Sequence, residues 1–118
     1  MKYREVKFYK TAEGKKPVKE FLDSLDGKVA QKIAWTLKLV EELERVPKTY
    51  LKNITGTEFY EVRVMFCGNI YRILGFFHAG NFLMLTNGFQ KKTQKTPKNE
   101  IDICKERMKD FYDRGGEL

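Results

Sequence analysis

Between Tyr60 and Gly88 apolar and polar side chains alternate with a period close to two, which predicts strands rather than helices. Two short turn signals, Gly68-Asn69 and Ala79-Gly80, divide the stretch into three runs. A two-residue turn at Gly68-Asn69 places Phe66 opposite Tyr71, Met65 opposite Arg72, Val64 opposite Ile73 and Arg63 opposite Leu74. On that register Tyr60, Val62, Val64, Phe66, Tyr71, Ile73 and Phe77 share an apolar face. Glu61, Arg63 and Arg72 share the other face with Phe59, Met65, Ile70, Leu74 and Phe76. A second two-residue turn at Ala79-Gly80 sets Arg72 opposite Asn87 and carries Phe89 and Lys91 along the same side. The run Phe82 to Leu85 is apolar on both sides, as in a covered strand.

The flanking segments read as one more strand and three helices. Residues 2–9 alternate loosely and predict a first strand. Pro17 suits a first helical turn, and Val18, Phe21, Leu22 and Leu25 follow at helical spacing. Asp26 is placed to cap a second helix from Lys28 to Arg45. Its stripe is Val29, Ile33, Leu37, Val40 and Leu43, widened by Trp35 and Leu39, and Val46-Pro47 ends it. Lys48 to Thr57 reads as a connection with Tyr50, Leu51 and Ile54 turned inward. A last helix begins at Thr96-Pro97 with Thr96 as cap, buries Ile101, Cys104, Met108 and Phe111, and stops at Gly115-Gly116. The order strand, helix, helix, three antiparallel strands, helix predicts an α+β domain. The helices are expected mainly on one face of the sheet, with the charges on the face away from them.

Composition narrows the partners. The 118 residues suit one domain, 1–118, and carry 23 Lys and Arg against 16 Asp and Glu, a net charge of +7. An anionic partner, most simply nucleic acid or an acidic protein, fits that balance. Cys67 and Cys104 lie far apart without Cys-x-x-Cys spacing and read as two reduced thiols. The opening MKYREVKFYK has no apolar core, so no signal peptide is expected, and no stretch suits a bilayer span. A cytoplasmic protein with no membrane partner is the expectation. No His, Cys and Asp set has metal-ligand spacing, so neither a metal nor another cofactor is expected.

The charged face suits chemistry on a phosphate. RNA cleavage without a metal requires the 2′-hydroxyl to lose a proton and attack phosphorus. The added transition-state charge must be neutralised and the leaving 5′-oxygen protonated. Arg63 and Arg72 suit the neutralising role, since a guanidinium binds phosphate oxygens in pairs. A diagonal placement would hold their Cβ atoms roughly 7 Å apart. Lys91 or Lys92 would serve as acid or as a further clamp, and Glu61 as base or as an orienter of Arg63. Phe89 or Tyr60 would stack on a base, and Lys52 would reach backbone phosphate. His78, at a turn tip, is the only histidine, so the histidine pair of simpler ribonucleases is absent. The plainer alternative is a surface of cross-strand ion pairs.

The run Tyr60-Glu61-Val62-Arg63, Tyr71-Arg72-Ile73, and LTNGFQKKTQKTP followed by Asn99-Glu100-Ile101 and Arg107-Met108 resemble the HigB-type, phage-Gp49-like branch of the RelE/ParE toxin superfamily. The resemblance covers essentially the whole chain, and Phe-x-Lys-Lys-Thr-x-Lys-Thr-Pro is its most specific element. It implies a RelE-like fold: a small antiparallel-rich sheet, an N-terminal helical hairpin on one face and a C-terminal helix. It also implies a small ribonuclease that cuts messenger RNA, usually in the ribosomal decoding site, and is held inactive by a cognate HigA-like helix-turn-helix antitoxin. Operator DNA would be met only through that antitoxin. Carried onto this chain, the catalytic set is Glu61, Arg63, Arg72, Lys91 and Lys92, and the RNA-binding set Lys52, Asn87, Phe89 and Lys95. Some relatives place lysines where Glu61 and Arg63 stand, which leaves the proton acceptor open. A ParE-like toxin directed at DNA gyrase would share the fold, and a non-catalytic basic binding module or co-repressor is the further alternative.

Overall fold

A computed structural model describes residues 2–92 and 95–118. The elements run β1 (Glu5–Phe8), α1 (Pro17–Asp23), α2 (Gly27–Glu42), β2 (Leu51–Asn53), β3 (Tyr60–Phe66), β4 (Asn69–His78), β5 (Phe82–Lys91) and α3 (Lys98–Asp113). Five strands form one sheet in the order β1-β5-β4-β3-β2. β1 lies parallel to β5, and the other neighbours are antiparallel. This is the α+β architecture the element order predicts, and it is consistent with a RelE-like fold.

Pro17 occupies the first turn of α1, and the Asp26 carboxylate accepts from the Lys28 amide at the start of α2. α2 stops at Glu42 rather than Arg45. Leu43 is extended, and Arg4 donates to the carbonyls of Val40, Leu43 and Glu44, so the orphan acceptors of the last turn are met by a side chain from the N-terminal segment. Trp35 does not widen the buried stripe. It is 48% exposed, and Thr36 is buried in its place with its hydroxyl bonded to the Lys32 carbonyl. The connection after α2 contains a short strand, β2, which pairs with β3 from Leu51 opposite Val62 to Asn53 opposite Tyr60.

Both hairpin registers differ from expectation by two residues. The first turn is Cys67-Gly68, where both residues have positive φ, so Arg63 stands opposite Arg72 and Val64 opposite Tyr71. The second loop takes three residues, 79–81, which shifts the ladder by one, and a bulge facing Leu74/Gly75 shifts it by one more. Arg72 therefore pairs with Phe89, and Asn87 with Leu74. Because side chains alternate with period two, a shift of two leaves every face assignment intact.

Two cores result. Val62, Val64, Tyr71, Ile73, Leu83 and Leu85 pack against Val18, Val29, Ile33, Leu37 and Val40 of α1 and α2. On the opposite face Tyr9, Phe59, Leu74, Phe76 and Met84 pack against Cys104 and Phe111 of α3. The charged face is thus not free of helices. α3 covers its apolar end and leaves the end bearing Arg63 and Arg72.

Candidate functional site

The cluster starts from an unfavourable pairing. With Arg63 opposite Arg72, two guanidinium groups leave the sheet side by side, and like charges so placed destabilise a ladder. Glu61, two residues earlier on β3 and on the same face, compensates. Its Oε1 lies 3.7 Å from Arg63 Nε and 3.6 Å from Arg72 Nε. Both Nε atoms are buried without a hydrogen-bond acceptor, so the carboxylate serves them through charge rather than through a formed bond. Glu61 Oε2 accepts from the Thr96 hydroxyl at 2.7 Å. Arg63 Nη1 donates to the Lys48 carbonyl, and Arg72 Nη1 to the Tyr71 carbonyl, each at 3.1 Å.

Burial sorts the cations. Arg72, Glu61 and Lys91 are each 5–6% exposed, whereas the Arg63 side chain keeps 28% of its surface. Burial pushes the Arg72 guanidinium below its ordinary range, Glu61 opposes the shift and Arg63 adds to it. The group still keeps its charge, because guanidinium starts so high. Burial likewise pushes the Lys91 ammonium down, Glu61 opposes, and Arg72, Arg63 and Lys52 reinforce the fall. Lys91 is therefore a readier proton donor than a solvated lysine.

These groups share one concavity. A cavity of about 230 Å³ is lined by Lys52, Asn53, Ile54, Thr55, Glu61, Arg63, Lys91, Lys95, Thr96 and Ile101. Among these described residues four are cationic and Glu61 is the one carboxylate. Lys52 faces Glu61 across the β2–β3 ladder. Arg72 lies beneath, tied in by Glu61. Such a set attracts an anion, and its single carboxylate gives a divalent metal little to hold. Among the described residues no group of three or more His, Cys, Asp or Glu could hold a metal ion.

Other candidates fall elsewhere. Asn87 is buried, donates to the Glu100 carbonyl and carboxylate and accepts from Thr86, so it ties β5 to the first turn of α3. Phe89 packs against the core under α3. Tyr60 stands on the α1–α2 face with its ring edge against Phe77. Lys92 is exposed just beyond β5 and is not among the described residues lining the cavity. Thr93 and Gln94 of the basic loop lie outside the described residues. His78 ends β4 and contacts the Tyr112 hydroxyl at 3.0 Å, away from the cavity.

Thr96 is the residue that sequence reasoning misplaced. The N-cap of α3 is Pro97, with no side-chain cap, and the Thr96 hydroxyl turns to Glu61 instead. A threonine before a proline carries the same sequence signal in either role. Asn53 and Thr55 line the cavity because β2 exists, and three residues are too few for alternation to reveal a strand.

A family model described as phage derived protein Gp49-like (DUF891) matches residues 20–109. That span contains α2, β2, β3, β4, β5 and every side chain of the cavity. No curated protein matches the chain.

Proposed function

The chain belongs to the Gp49-like family of phage-derived proteins, a toxin–antitoxin-associated family, and from that premise we propose that it is a HigB-type toxin, an endoribonuclease that needs no metal and cleaves messenger RNA on the translating ribosome. The observation that carries this reading is the shared cavity, which Glu61, Arg63 and Lys91 line together and in which Glu61 pairs with Arg63 and with the buried Arg72. No helix among the described residues is long and apolar enough to cross a membrane.

In this reading Arg63, with Arg72 behind it, holds the scissile phosphate and neutralises the charge that grows on its oxygens. Glu61 takes the proton of the 2′-hydroxyl through Oε1, the oxygen that faces Arg63 and Arg72 and is not bonded to Thr96. The new O2′–P bond forms as the P–O5′ bond breaks, and the Lys91 ammonium gives its proton to the departing 5′-oxygen. The products are a 2′,3′-cyclic phosphate and a 5′-hydroxyl, so atoms and charges balance. Lys52 and Lys95 hold neighbouring phosphates. Lys92, outside the cavity, contributes to the basic approach rather than to proton transfer. A HigA-like antitoxin is the proposed inhibitor, and contact with operator DNA passes through it.

The test is controlled expression in bacteria of the wild type, Arg72→Ala and Lys91→Ala, with primer extension on cellular messenger RNA. Growth arrest with new 5′ ends for the wild type, and neither for the folded variants, is the expected result. DNA damage without messenger RNA cuts would favour the gyrase-directed alternative. Salt-sensitive RNA binding without cuts would leave a binding module.

A further inference from the structure

Outside the cavity, exposed Trp35 and half-buried Tyr50 form a pair that belongs to neither core. Trp35, the only tryptophan of the chain, is 48% exposed on the outer face of α2. Its ring meets Tyr50 edge to face, with centroids 6.1 Å apart and planes at 82°. Lys32 Nζ lies 5.1 Å from the Trp35 ring centroid. Leaving so much indole in water forgoes the gain that burial brings a large aromatic, and the stripe that holds α2 to the sheet does without it.

The pair is physically continuous with the phosphate cavity. The Arg63 amide donates to the Tyr50 carbonyl at 2.8 Å, and Arg63 Nη1 donates to the Lys48 carbonyl. The residue placed on the phosphate is therefore bonded twice to the segment that carries Tyr50. The charge around the pair also has a sign. One helical turn to either side of Trp35 stand Gln31, Lys32, Lys38 and Leu39; Lys38 is paired with Glu42 at 3.8 Å, and Lys32 is the cation at the ring. An aromatic surface beside a cation, on the α2 side of the sheet and joined to the basic cavity through the Arg63–Tyr50 backbone bond, has the composition of single-strand nucleic-acid sites, where bases stack on rings and the backbone follows the charges.

We propose that Trp35 and Tyr50 form a stacking site for an unpaired base of the single-stranded RNA whose phosphate is held at Arg63. The proposal rests on the ribonuclease reading for the identity of its ligand. It adds a contact that the reaction itself does not require, and it extends the RNA track around the β2 edge of the sheet.

The probe is an unstructured twelve-nucleotide RNA with 2′-O-methyl groups throughout, which binds but cannot supply the attacking hydroxyl. Titrating it into wild-type protein should quench the fluorescence of Trp35. Anisotropy of the labelled oligonucleotide should show binding weakened about 5- to 100-fold by Trp35→Ala, the range that losing one base stack implies. Trp35→Phe should restore most of the affinity. The same oligonucleotide with abasic positions should bind wild type and Trp35→Ala alike. Unchanged fluorescence and equal affinity for Trp35→Ala would overturn the proposal. If Trp35→Ala instead weakened only capture of the antitoxin while RNA affinity stayed constant, the pair would be a protein-docking surface and the proposal would again fail. Cutting of unmodified messenger RNA on translating ribosomes is scored separately. Quenching without cutting refutes the ribonuclease reading and keeps the stacking site, and cutting without quenching does the reverse.

Discussion

Glu61→Gln should destabilise the fold by about 2–4 kcal/mol, apart from anything it does to catalysis. The magnitude follows from the pairing of Arg63 with Arg72. Glu61 Oε1 stands 3.6 Å from one Nε and 3.7 Å from the other. At an effective dielectric of about 20, each contact is worth roughly 4–5 kcal/mol of gross attraction. Much of that is offset by the cost of removing three charges from water. The Arg63 side chain, 28% exposed, recovers part of its hydration when the carboxylate is lost, whereas Arg72, 5% exposed, does not. The loss therefore falls mainly on Arg72, left opposite a like charge in a dry setting. Urea unfolding followed by far-ultraviolet circular dichroism should show a lowered midpoint with an unchanged slope. Arg72→Met added to Glu61→Gln removes the stranded charge and should recover stability, giving a coupling of about 1–3 kcal/mol in the double-mutant cycle. If Glu61→Gln came within about 0.5 kcal/mol of wild type and the cycle closed at zero, the charge argument would be refuted.

Three further outcomes follow. Lys91 acts as an acid only while protonated, and burial pushes its pKa below the ordinary 10.5, so kcat/KM, which reports the free protein, should fall as pH rises through a value below 10.5; a plateau extending past 10.5 would remove Lys91 from the role. Gly75→Ala would drive its Cβ into the Met84 carbonyl oxygen, at the bulge, and should cost about 1–3 kcal/mol or more in chemical denaturation. Gly27→Ala, with open space around it, serves as the control. Burial raises the Cys104 thiol to about 11, so at pH 8 a disulfide reagent should titrate one thiol quickly, exposed Cys67, and reach Cys104 only on unfolding; two fast thiols would contradict the packing of α3.

The single carboxylate is the part of the site with the most open chemistry. A lysine at the position of Glu61 would leave the cation pair with no counter-charge from this strand. Here Glu61 is shared among two guanidinium groups and a threonine hydroxyl. Its structural and chemical duties are then linked, because any movement that frees it to accept a proton also loosens Arg72.

Period and punctuation determined a good deal on their own. Alternation along β3 and β4 assigned all seven apolar-face residues correctly, from Tyr60 to Phe77, although the turn was misplaced. An error of two residues moves partners along a strand but cannot turn a side chain over. Caps and stops worked where local chemistry decides, as with Asp26 at α2 and the positive-φ Gly115-Gly116 after α3. Tertiary structure alone decided the rest. A three-residue loop and a bulge each shifted β5 by one, and only their sum restored Phe89 and Lys91 to the face of Arg72. Contacts distant in sequence set the end of α2 through Arg4, sent Thr96 to Glu61 and locked Asn87 to Glu100. No local pattern encodes such contacts, because each is decided by which groups remain unsatisfied once the sheet has closed and α3 has covered half of its charged face.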